Sequence, residues 1–494
     1  MDVTKKERNV LAVDFGASSG RVMLGTYCEN KITIKEVHRF SNDPVVVNGT
    51  MYWDILRLFY EMKQGMIKAK QEGEIESIGV DTWGVDFGLL DKKGYLLENP
   101  VRYRDSRTEG MLEKGFKKIS KEHFYQITGN QFMEINTIFQ LMALKEQRPE
   151  LFSQADCMLL MPDLFNYFLS GIKKSERSIV STTQMGNPFL PGWVKEVIEQ
   201  FAIPEKILTE VIPTGTRLGS LKEEIQKELG IANMDVIAVA GHDTQCALTA
   251  VPAEEEDFIF VSCGTWSLFG TELSQPIVTK ESEERNITNE IGTDGKISFL
   301  KNIIGLWLVQ ESRRQWLREG KNYSFSELEK LAEEAKPFQC FIDPDAPEFV
   351  PSGNIPKRIQ EYCKRTRQNI PQTEGEIIRC INESLALKYR YTLEEIKTCT
   401  KKEYTAIYMV GGGIQSQLLC KFTAYANGIP VIAGPIEATV YGNIVIQLMA
   451  KGIIKDLKEA RKVIANSDQP IIYQPENQEK WSQAYQFYVE KILQ

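Results

Sequence analysis

The sequence feature that most constrains the fold is a glycine- and hydroxyl-rich segment that occurs once in each half of the chain. The first copy is DFGASSGR at residues 14–21, and the second is CGTWS at residues 263–267. Each copy stands between two apolar runs, which predicts a β-hairpin with a tight turn. The flanking runs are VLAV at 10–13, VML at 22–24, FIFV at 258–261 and LF at 268–269. Because small residues and successive N–H and hydroxyl donors suit a polyphosphate, the two loops together predict a clamp on one nucleotide.

Either loop alone is better explained as an ordinary hairpin turn, and it is their pairing that favours a nucleotide site. The chain has neither a GxxxxGK[ST] phosphate loop nor a strand-GxGxxG-helix unit, which argues against P-loop and dinucleotide-binding folds. The arrangement that remains is the actin-like one. We therefore predict an α/β fold of two actin-like (ribonuclease H-like) ATPase domains with an interdomain cleft, an N-terminal domain at 1–250 and a C-terminal domain at 251–494.

Composition bounds the classes of partner. The chain has 494 residues, which is too long for one hydrophobic core and predicts at least two domains. A formal net charge of -8 argues against a nucleic-acid-binding surface. The N-terminal segment MDVTKKER is not followed by an apolar signal region, and no apolar stretch approaches the ~20 residues that span a bilayer. We expect a cytoplasmic protein without membrane or nucleic-acid partners, either a monomer or a small homo-oligomer.

Cysteine and histidine usage bears on metal sites. The nine cysteines, from Cys28 to Cys420, show no CxxC or CxxH spacing, so neither a zinc pattern nor a disulfide framework is predicted. We interpret them as reduced, packed side chains. The three histidines, His38, His123 and His242, are too few to favour a multi-histidine metal centre.

Hydrophobic periodicity predicts how the elements alternate. A domain boundary is expected near the acidic segment PAEEED at 252–257. Before it, the predicted strands and helix alternate in the manner of α/β wiring with a largely parallel sheet. They are strands at 77–80, 158–161 and 236–240 and a helix across 138–144. After the boundary, apolar residues at mainly four-residue spacing predict a long amphipathic helix that ends before a strand at 406–410. They are Ile377, Ile381, Leu385, Tyr389 and Leu393.

Two further glycine turns follow strands in the second half. Gly411, Gly412 and Gly413 stand between the strand at 406–410 and a helical pattern, where exposed backbone donors and the helix dipole would favour an adenosine or a phosphate. A flexible strand-helix turn explains them equally well. The turn GPIEAT at 434–439 is expected to help wall the same pocket.

The best candidate for a catalytic base is Asp243. It follows a strand in the sequence GHDT at 241–244, and open α/β sheets bind ligands at the carboxyl ends of their strands. The alternative is an N-cap for the helix that follows. Asp14, which opens the first phosphate turn, is a candidate Mg²⁺ ligand through water, and its alternative is a turn-stabilising role.

Ten segments spread over nearly the whole chain resemble the FGGY carbohydrate kinases. They are DFGASSGRVMLG at 14–25, HRFSN at 38–42, DTWGVDF at 81–87, YRDSRT at 103–108, LLMPDLF at 159–165, GHDT at 241–244, SCGTWSL at 262–268, KNIIGLW at 301–307, VGGGIQ at 410–415 and AGPIEAT at 433–439. ASSGR, DTWGVDF and KNIIGLW together resemble the branch whose substrate is L-rhamnulose. The resemblance implies ATP- and Mg²⁺-dependent phosphorylation of L-rhamnulose at O1, as in rhamnose catabolism.

The resemblance also implies a role for each matching residue. Asp243 would be the general base on the C1 hydroxyl, and His242, Gly84 and Asn302 would contact the ketose. Asp81, Trp83 and Asp86 would shape the sugar side of the pocket. The residues implied to hold ATP are Ala17, Ser18, Ser19, Gly20, Arg21, Thr265, Gln310, Gly411, Gly412 and Gly413. Asp105 and Arg107 either line the cleft or form a local surface ion pair. Gln245 and Cys246 replace smaller residues expected after the catalytic Asp-Thr, which bears on details of the pocket.

Three alternative functions remain at this point. Another FGGY ketose kinase, an L-fuculokinase or a xylulokinase, would differ in the few side chains that read one hydroxyl. An actin- or chaperone-like nucleotide switch would explain the two phosphate loops, but it leaves WGVD at 83–86 and the His242-Asp243 pair without a role. A non-catalytic sugar-responsive protein would not need Asp14, Asp243 and Thr265 together.

Overall fold

The protein is described here by a computed structural model that covers residues 7–493. The polar N-terminal segment discussed above lies outside the described residues as far as Lys6. In chain order, the strands are β1 (Arg8–Phe15), β2 (Ser19–Cys28), β3 (Lys31–Ser41), β4 (Val45–Val47), β5 (Thr50–Tyr52), β6 (Ser77–Thr82), β7 (Phe87–Leu90), β8 (Cys157–Leu160), β9 (Ser175–Glu176), β10 (Val211–Ile212), β11 (Thr216–Ser220), β12 (Asp235–Ala238), β13 (Ile259–Cys263), β14 (Trp266–Leu273), β15 (Thr288–Ile291), β16 (Ile297–Ile304), β17 (Ile407–Val410), β18 (Val431–Ala433) and β19 (Ile471–Tyr473).

The helices alternate with these strands. They are α1 (Ile55–Ala69), α2 (Met111–Phe116), α3 (Lys121–Thr128), α4 (Thr137–Gln147), α5 (Pro149–Gln154), α6 (Met161–Ser170), α7 (Arg177–Val180), α8 (Lys195–Gln200), α9 (Glu223–Leu229), α10 (Asp243–Thr249), α11 (Lys280–Glu284), α12 (Trp307–Arg318), α13 (Phe325–Glu334), α14 (Ile355–Arg365), α15 (Glu374–Thr400), α16 (Gln417–Asn427), α17 (Ala438–Ala450), α18 (Leu457–Ser467) and α19 (Gln478–Lys491). Short 3₁₀ helices lie at Lys70–Glu72, Ser106–Thr108, Glu205–Ile207, Thr293–Gly295, Pro347–Phe349 and Gly412–Gln415.

The chain forms two compact units. The first contains the described residues up to Ala250 together with Leu273–Phe299 and Ala438–Ser467. The second contains Val251–Glu272, Leu300–Glu437 and the described residues from Asp468 onward. These units differ from the division into 1–250 and 251–494 in the two later segments that the first unit takes up. As a division of the sequence into an N-terminal and a C-terminal domain, 1–250 and 251–494 remains our proposal.

The first unit is built on a six-stranded sheet with the order β11–β12–β6–β1–β2–β3. The predicted hairpin is confirmed, because β1 pairs antiparallel with β2. β6 lies parallel to β1 and to β12, whereas β2–β3 and β11–β12 are antiparallel. The expectation of a largely parallel sheet is therefore wrong, and the sheet is mixed. Short turns join β1, β2 and β3, and a short turn reverses the chain, so these strands pair antiparallel. The strand expected at 158–161 forms as β8, which pairs with β7 outside this sheet.

Both faces of this sheet are covered. Residues 10–13 of β1 are completely buried, as is typical of a strand with a packed layer on each side. Leu11 and Val13 belong to a hydrophobic cluster that includes side chains of α1 and α6. On the other face, Ile237 and Val239 pack with Ile446 of α17. A further hydrophobic cluster, separate from the sheet, gathers side chains of α2 to α5, α8, β7 and β8.

The second unit has its own sheet, in which β16, β14, β13, β17, β18 and β19 follow one another. The second predicted hairpin is confirmed as β13 and β14, and β17 lies parallel to both β13 and β18. The long helix is confirmed as α15, and its N-terminus is closed by a capping box of Thr373 and Glu376. The five apolar residues that predicted this helix are all buried. Across residues 7–493, no helix combines the length and the apolar character needed to cross a bilayer.

Candidate active site

Three parallel strands of the first unit bring carboxylates to one edge of the sheet. Asp14, near the end of β1, stands directly beside Asp81, near the end of β6. Thr82 at the end of β6 is bridged to His242, which follows β12, and its N–H donates to the carbonyl of Gly241 at 2.9 Å. The carboxyl ends of β1, β6 and β12 therefore meet, and open α/β sheets bind their ligands at such an edge.

Asp243 is the first residue of α10, and His242 holds the cap position. One oxygen of Asp243, Oδ1, accepts the N–H of Thr244 at 2.6 Å, and the side chain keeps 31% of its surface exposed. Burial raises the pKa of Asp243 to about 6, with a further rise from Asp14, against lowering by the His242 charge and by Thr244. The alternative role as an N-cap does not describe its contacts, since Asp243 lies inside the helix. A carboxylate with this pKa is a stronger base than an ordinary aspartate and still largely ionised at pH 7.

His242 is held by a buried chain of polar contacts. Its Nδ1 lies 2.9 Å from Oε2 of Glu290, and the same oxygen accepts from Nε2 of Gln245 at 3.0 Å. Oγ of Ser298 donates to Oε1 of Gln245 at 2.7 Å. Burial lowers the pKa of His242, but Glu290 and Asp243 outweigh that effect and the pKa is raised. Nε2 of His242 lies 3.5 Å from Oδ1 of Asp243, so the imidazole ring stands beside the candidate base and lowers its pKa when it is protonated.

Asp81 is a buried carboxyl that lacks one partner. Its Oδ2 accepts from Nδ2 of Asn443 at 2.6 Å, whereas Oδ1 has no hydrogen-bond partner among the described residues. Burial, together with the charges of Asp14 and Asp243, raises the pKa of Asp81 well above its usual value. Arg21 donates to Oδ2 of Asp14, so one guanidinium faces this group of three carboxylates. Of the predicted site residues, Asp14, Arg21, Asp81, His242 and Asp243 are thus brought together.

Asp86 and Trp83, which lie on either side of Gly84 in the sequence, are joined by a hydrogen bond between their side chains. Both side chains are buried, and Asp86 accepts from the indole N–H of Trp83 at 2.9 Å and from that of Trp53 at 2.6 Å. The two indole rings pack against each other with centroids 4.1 Å apart. Asp86 also accepts a hydrogen bond from Gln140, so it is an interior hub, a buried residue that joins three other side chains. A Cβ on Gly84 would lie 3.4 Å or more from its neighbours, which include Nε2 of His242, so internal packing does not require glycine there.

The first phosphate loop is held from outside by Asn42. This buried side chain donates to the carbonyl of Gly16 at 2.8 Å, and the Asn42 N–H donates to the carbonyl of Ser18 at 3.1 Å. Ser18 is exposed, Ala17 and Ser19 are half-buried, and Gly20 is buried. A Cβ on Gly20 would come within 2.3 Å of the Phe40 ring, so packing within the protein accounts for this glycine.

The second loop gathers most of the nucleotide candidates of the second unit. Oγ1 of Thr265 lies 3.2 Å from Oε1 of Gln310, which belongs to α12. Gly411 and Gly413 pack on the end of β13, because a Cβ on Gly413 would come within 2.4 Å of Sγ of Cys263 and one on Gly411 within 3.1 Å of the Cys263 carbonyl oxygen. The φ of +90° at Gly411 also favours glycine there. A Cβ on Gly412 would meet no atom within 4 Å. Asn302 also belongs to this unit, on β16, and is half-buried.

The three glycines lie between β17 and α16, as predicted, but not directly at the start of α16. The 3₁₀ helix Gly412–Gln415 intervenes, and α16 begins at Gln417 with Ser416 as its cap. The hypothesis of a surface ion pair between Asp105 and Arg107 is also wrong. Asp105 accepts backbone N–H groups of Met51 and Arg107, and the half-buried Arg107 side chain donates to Gln140 at 2.6 Å. The hydrogen bonds of both side chains therefore go to other groups, and not to each other.

Sequence reasoning missed three residues that complete this edge of the first unit: Glu290, Gln245 as a partner of Glu290, and Asn443. Glu290 follows His242 by 48 positions and Asn443 follows Asp81 by 362, so no local spacing points to either contact. The sequence shows Gln245 as a departure from the expected pattern but not its contact, and burial against Glu290 explains the larger side chain.

Comparison with known proteins decides the family. The FGGY family of carbohydrate kinases, N-terminal domain, matches residues 9–250, and the C-terminal domain of the same family matches residues 259–451. This chain belongs to the FGGY family of carbohydrate kinases. The predicted α/β, two-domain fold of the actin-like type is confirmed with it. The family makes it a carbohydrate kinase. The alternative of an actin- or chaperone-like nucleotide switch is thereby excluded.

Relatives agree over nearly the whole length. The rhamnulokinase of Bacteroides thetaiotaomicron is 41% identical over 480 residues, 97% of this chain and 98% of that protein. The rhamnulokinase of Halalkalibacterium halodurans is 42% identical over 92% of this chain and 97% of that protein. Among solved structures, the xylulose kinase of Lactobacillus acidophilus superposes with a TM-score of 0.80 at 17% identity, covering 98% of this chain and 97% of that one. The Plasmodium falciparum glycerol kinase with ADP gives 0.77 at 16% identity, covering 99% and 98%. At such identities these structures speak for the fold alone.

Proposed function

We propose that this kinase transfers the γ-phosphoryl group of ATP to O1 of L-rhamnulose and that Asp243 is the general base. The observation that carries the assignment of the base is the environment of Asp243. It is a partly exposed carboxylate with a pKa near 6, held by Thr244 at an edge where three parallel strands end. The choice of L-rhamnulose is supported by the relatives named rhamnulokinase at about 40% identity.

The ketose would be held by His242, Gly84 and Asn302. The proton on Nδ1 of His242 donates to Glu290, which leaves Nε2 to face the ligand side next to Asp243. The space at Gly84 is not required by internal packing, so we assign it to the sugar. Polar groups placed for one ketose lose their partners when an epimer binds, and this is how such a site discriminates between substrates. Trp83 and Asp86 would act from beneath by fixing the backbone at Gly84.

ATP would lie against the glycine-rich turn at 14–21 in the first unit and against Thr265 and the glycines at 411–413 in the second. Within the second unit, Thr265 and Gln310 are already in contact, and Gly412 presents open backbone between two packed glycines. In the first unit, Ala17, Ser18, Ser19, Gly20 and Arg21 would contribute backbone and side-chain donors. Phosphoryl transfer passes through a loose transition state, so these residues would act mainly by alignment and charge stabilisation.

Asp14 and Asp81 fit a Mg²⁺ ion. Their oxygens are the ligand type that Mg²⁺ prefers, and Oδ1 of Asp81 is a buried carboxyl oxygen without a hydrogen-bond partner among the described residues. When bound, the ion would neutralise charge on the phosphates. Without a cation, burial first and the neighbouring carboxyl groups second raise the pKa of Asp81, and burial together with Asp14 raises the pKa of Asp243. The cytoplasmic location and the state of a monomer or small homo-oligomer stay proposals.

A substrate panel tests this function. The purified chain would be given ATP, Mg²⁺ and, in turn, L-rhamnulose, L-fuculose and D-xylulose, with ADP formation as the readout and ³¹P NMR to locate the phosphate. We expect the highest kcat/KM for L-rhamnulose and a phosphate on O1. A preference for L-fuculose or D-xylulose would replace the substrate and keep the kinase assignment. Absence of turnover with every ketose, in a folded protein that binds ATP, would overturn the proposal.

A further inference from the structure

Three cysteines that are distant in the sequence meet in the interior of the second unit. Cys340 lies in the segment after α13, Cys363 near the end of α14, and Cys380 within α15. Their sulfur atoms all lie within 4.8 Å of one another, and the three residues are 4%, 0% and 2% exposed. Proximity of three thiols from three separate segments is a different observation from the sequence spacing, which predicted no zinc pattern.

The segment that carries Cys340 is pinned in place. Phe341 exchanges two hydrogen bonds with the side chain of Gln368, at 2.8 and 2.7 Å, and the N–H of Ile342 donates to Oγ of Ser384 at 2.9 Å. Ser384 lies one helical turn beyond Cys380 on α15. These contacts fix the backbone that follows Cys340, and the helices α14 and α15 carry the other two thiols, so the cluster requires little ordering when a ligand binds.

A cavity of about 110 Å³ adjoins the cluster. A water molecule occupies about 30 Å³ of liquid, so this space admits an ion with several waters. Cys340 and Cys380 line it together with Lys336, Arg379 and Glu383. Arg379 is engaged with Glu383, so the cationic side chain of Lys336 and this ion pair border the space in front of the thiols. The cavity thus supplies both an entry path and room for a ligand from solvent.

We propose that Cys340, Cys363 and Cys380 bind one Zn²⁺ ion as thiolates, with a water molecule from the adjoining cavity as the fourth ligand. Zn²⁺ takes four ligands in a tetrahedron with Zn–S distances of about 2.3 Å, which places the sulfur atoms about 3.8 Å apart. The present separations of at most 4.8 Å require the side chains to close by about 1 Å or less. On binding, the thiol protons leave for solvent and the ion takes their place.

Charge favours Zn²⁺ over Cu⁺ at this position. Three thiolates and Zn²⁺ carry a net charge of about -1, whereas three thiolates and Cu⁺ carry about -2, and buried net charge is costly. The hydrogen bonds among the thiols lower the pKa of Cys363 and raise the pKa of Cys340 and Cys380. The bound ion would tie α14, α15 and the Cys340 segment together within this unit.

The test measures metal binding by the full chain, independently of kinase activity. Reduced, chelator-treated wild type would be mixed with Zn²⁺, desalted and analysed for metal, and Co²⁺ would serve as a spectroscopic probe. We expect one Zn²⁺ per chain and thiolate-to-cobalt charge-transfer absorption in the near ultraviolet. Loss of a hydrogen-bond partner behind a ligand already costs about 10- to 100-fold in metal affinity, so Cys380→Ser, which removes a ligand, should lose at least about 100-fold together with the absorption. Cys399→Ser, on the same helix and outside the cluster, is the matched control and should bind as wild type does.

A second measurement uses the wild type alone and covers the case in which Cys380→Ser fails to fold. Alkylation followed by mass spectrometry should show that Zn²⁺ slows modification of the three cluster cysteines at least about 10-fold, and that it leaves Cys28 and Cys399 unchanged. Zn²⁺ bound without cobalt-thiolate absorption would assign the ion to carboxylates and overturn the proposal. Equal alkylation rates with and without Zn²⁺ would overturn it as well, and would leave the thiols as packed side chains.

Discussion

We predict from the buried contact between His242 and Glu290 how kcat/KM depends on pH. Glu290→Gln keeps the size of the side chain but removes the charge that raises the pKa of His242. In the wild type the pKa of His242 is raised above 6.5, so at pH 6.5 more than half of the molecules carry a cationic His242 ring. That cation lowers the pKa of Asp243. In the variant the pKa of His242 should fall, so fewer molecules carry a cationic ring in this range, and the pKa of Asp243 should rise.

The size of the shift follows from the geometry. Nε2 of His242 and Oδ1 of Asp243 are 3.5 Å apart. Two unit charges at that distance interact by about 1.2 kcal/mol at a dielectric constant of about 80 and by about 4.7 kcal/mol at about 20. Since the Asp243 side chain is 31% exposed, we take the lower figure, which is roughly one pKa unit. A neutral His242 would give the ketose a neutral hydrogen bond where a cationic ring gives a charge-assisted one. The free energy of ketose binding should therefore weaken by about 1 kcal/mol in the variant.

The assay is kcat/KM for ketose phosphorylation as a function of pH at saturating ATP. The wild type should lose activity as the pH falls through about 6, because protonated Asp243 cannot accept a proton. In Glu290→Gln the acidic limb should move up by about one pH unit and the KM for ketose should rise roughly 5-fold. Glu61→Gln is the control, since Glu61 is another buried partner of a histidine, His38, at 2.7 Å in the same unit. An unmoved limb in folded Glu290→Gln would refute the reasoning.

The remaining predictions concern the base, the choice of sugar and the glycine turn. Asp243→Asn should lower kcat by about 10²- to 10⁴-fold and leave calorimetric ketose binding nearly intact, and wild-type turnover would remove Asp243 from the mechanism. Asn302→Ala should narrow the kcat/KM ratio of L-rhamnulose over L-fuculose several-fold at constant KM for ATP; a change in ATP affinity alone would contradict the role. Gly413→Ala should lower Tm because its Cβ meets Sγ of Cys263, whereas Gly412→Val should keep Tm and raise the KM for ATP; equal Tm losses would contradict the packing argument.

Local sequence patterns determined much of this protein. Both glycine-hydroxyl hairpins and the long helix α15 formed where the patterns predicted them, since turn chemistry and a continuous four-residue apolar spacing are properties of neighbouring residues. The motifs from the first turn to the glycine turns also pointed to the FGGY kinases, and the comparisons bear this out. The candidate roles of Asp14, Asp243 and Thr265 were visible for the same reason, because each stands in a short motif.

Tertiary structure alone decided the features that depend on distant segments. Strand direction in the first sheet came out mixed because pairing depends on which strands become neighbours, which a hydrophobic run does not encode. Asp86 proved to be an interior hub, and Glu290 and Asn443 reached His242 and Asp81 across long stretches of chain. The three cysteines of the second unit are the clearest case. Their spacing carries no metal pattern, and only the packing of α14, α15 and the Cys340 segment brings their sulfur atoms together.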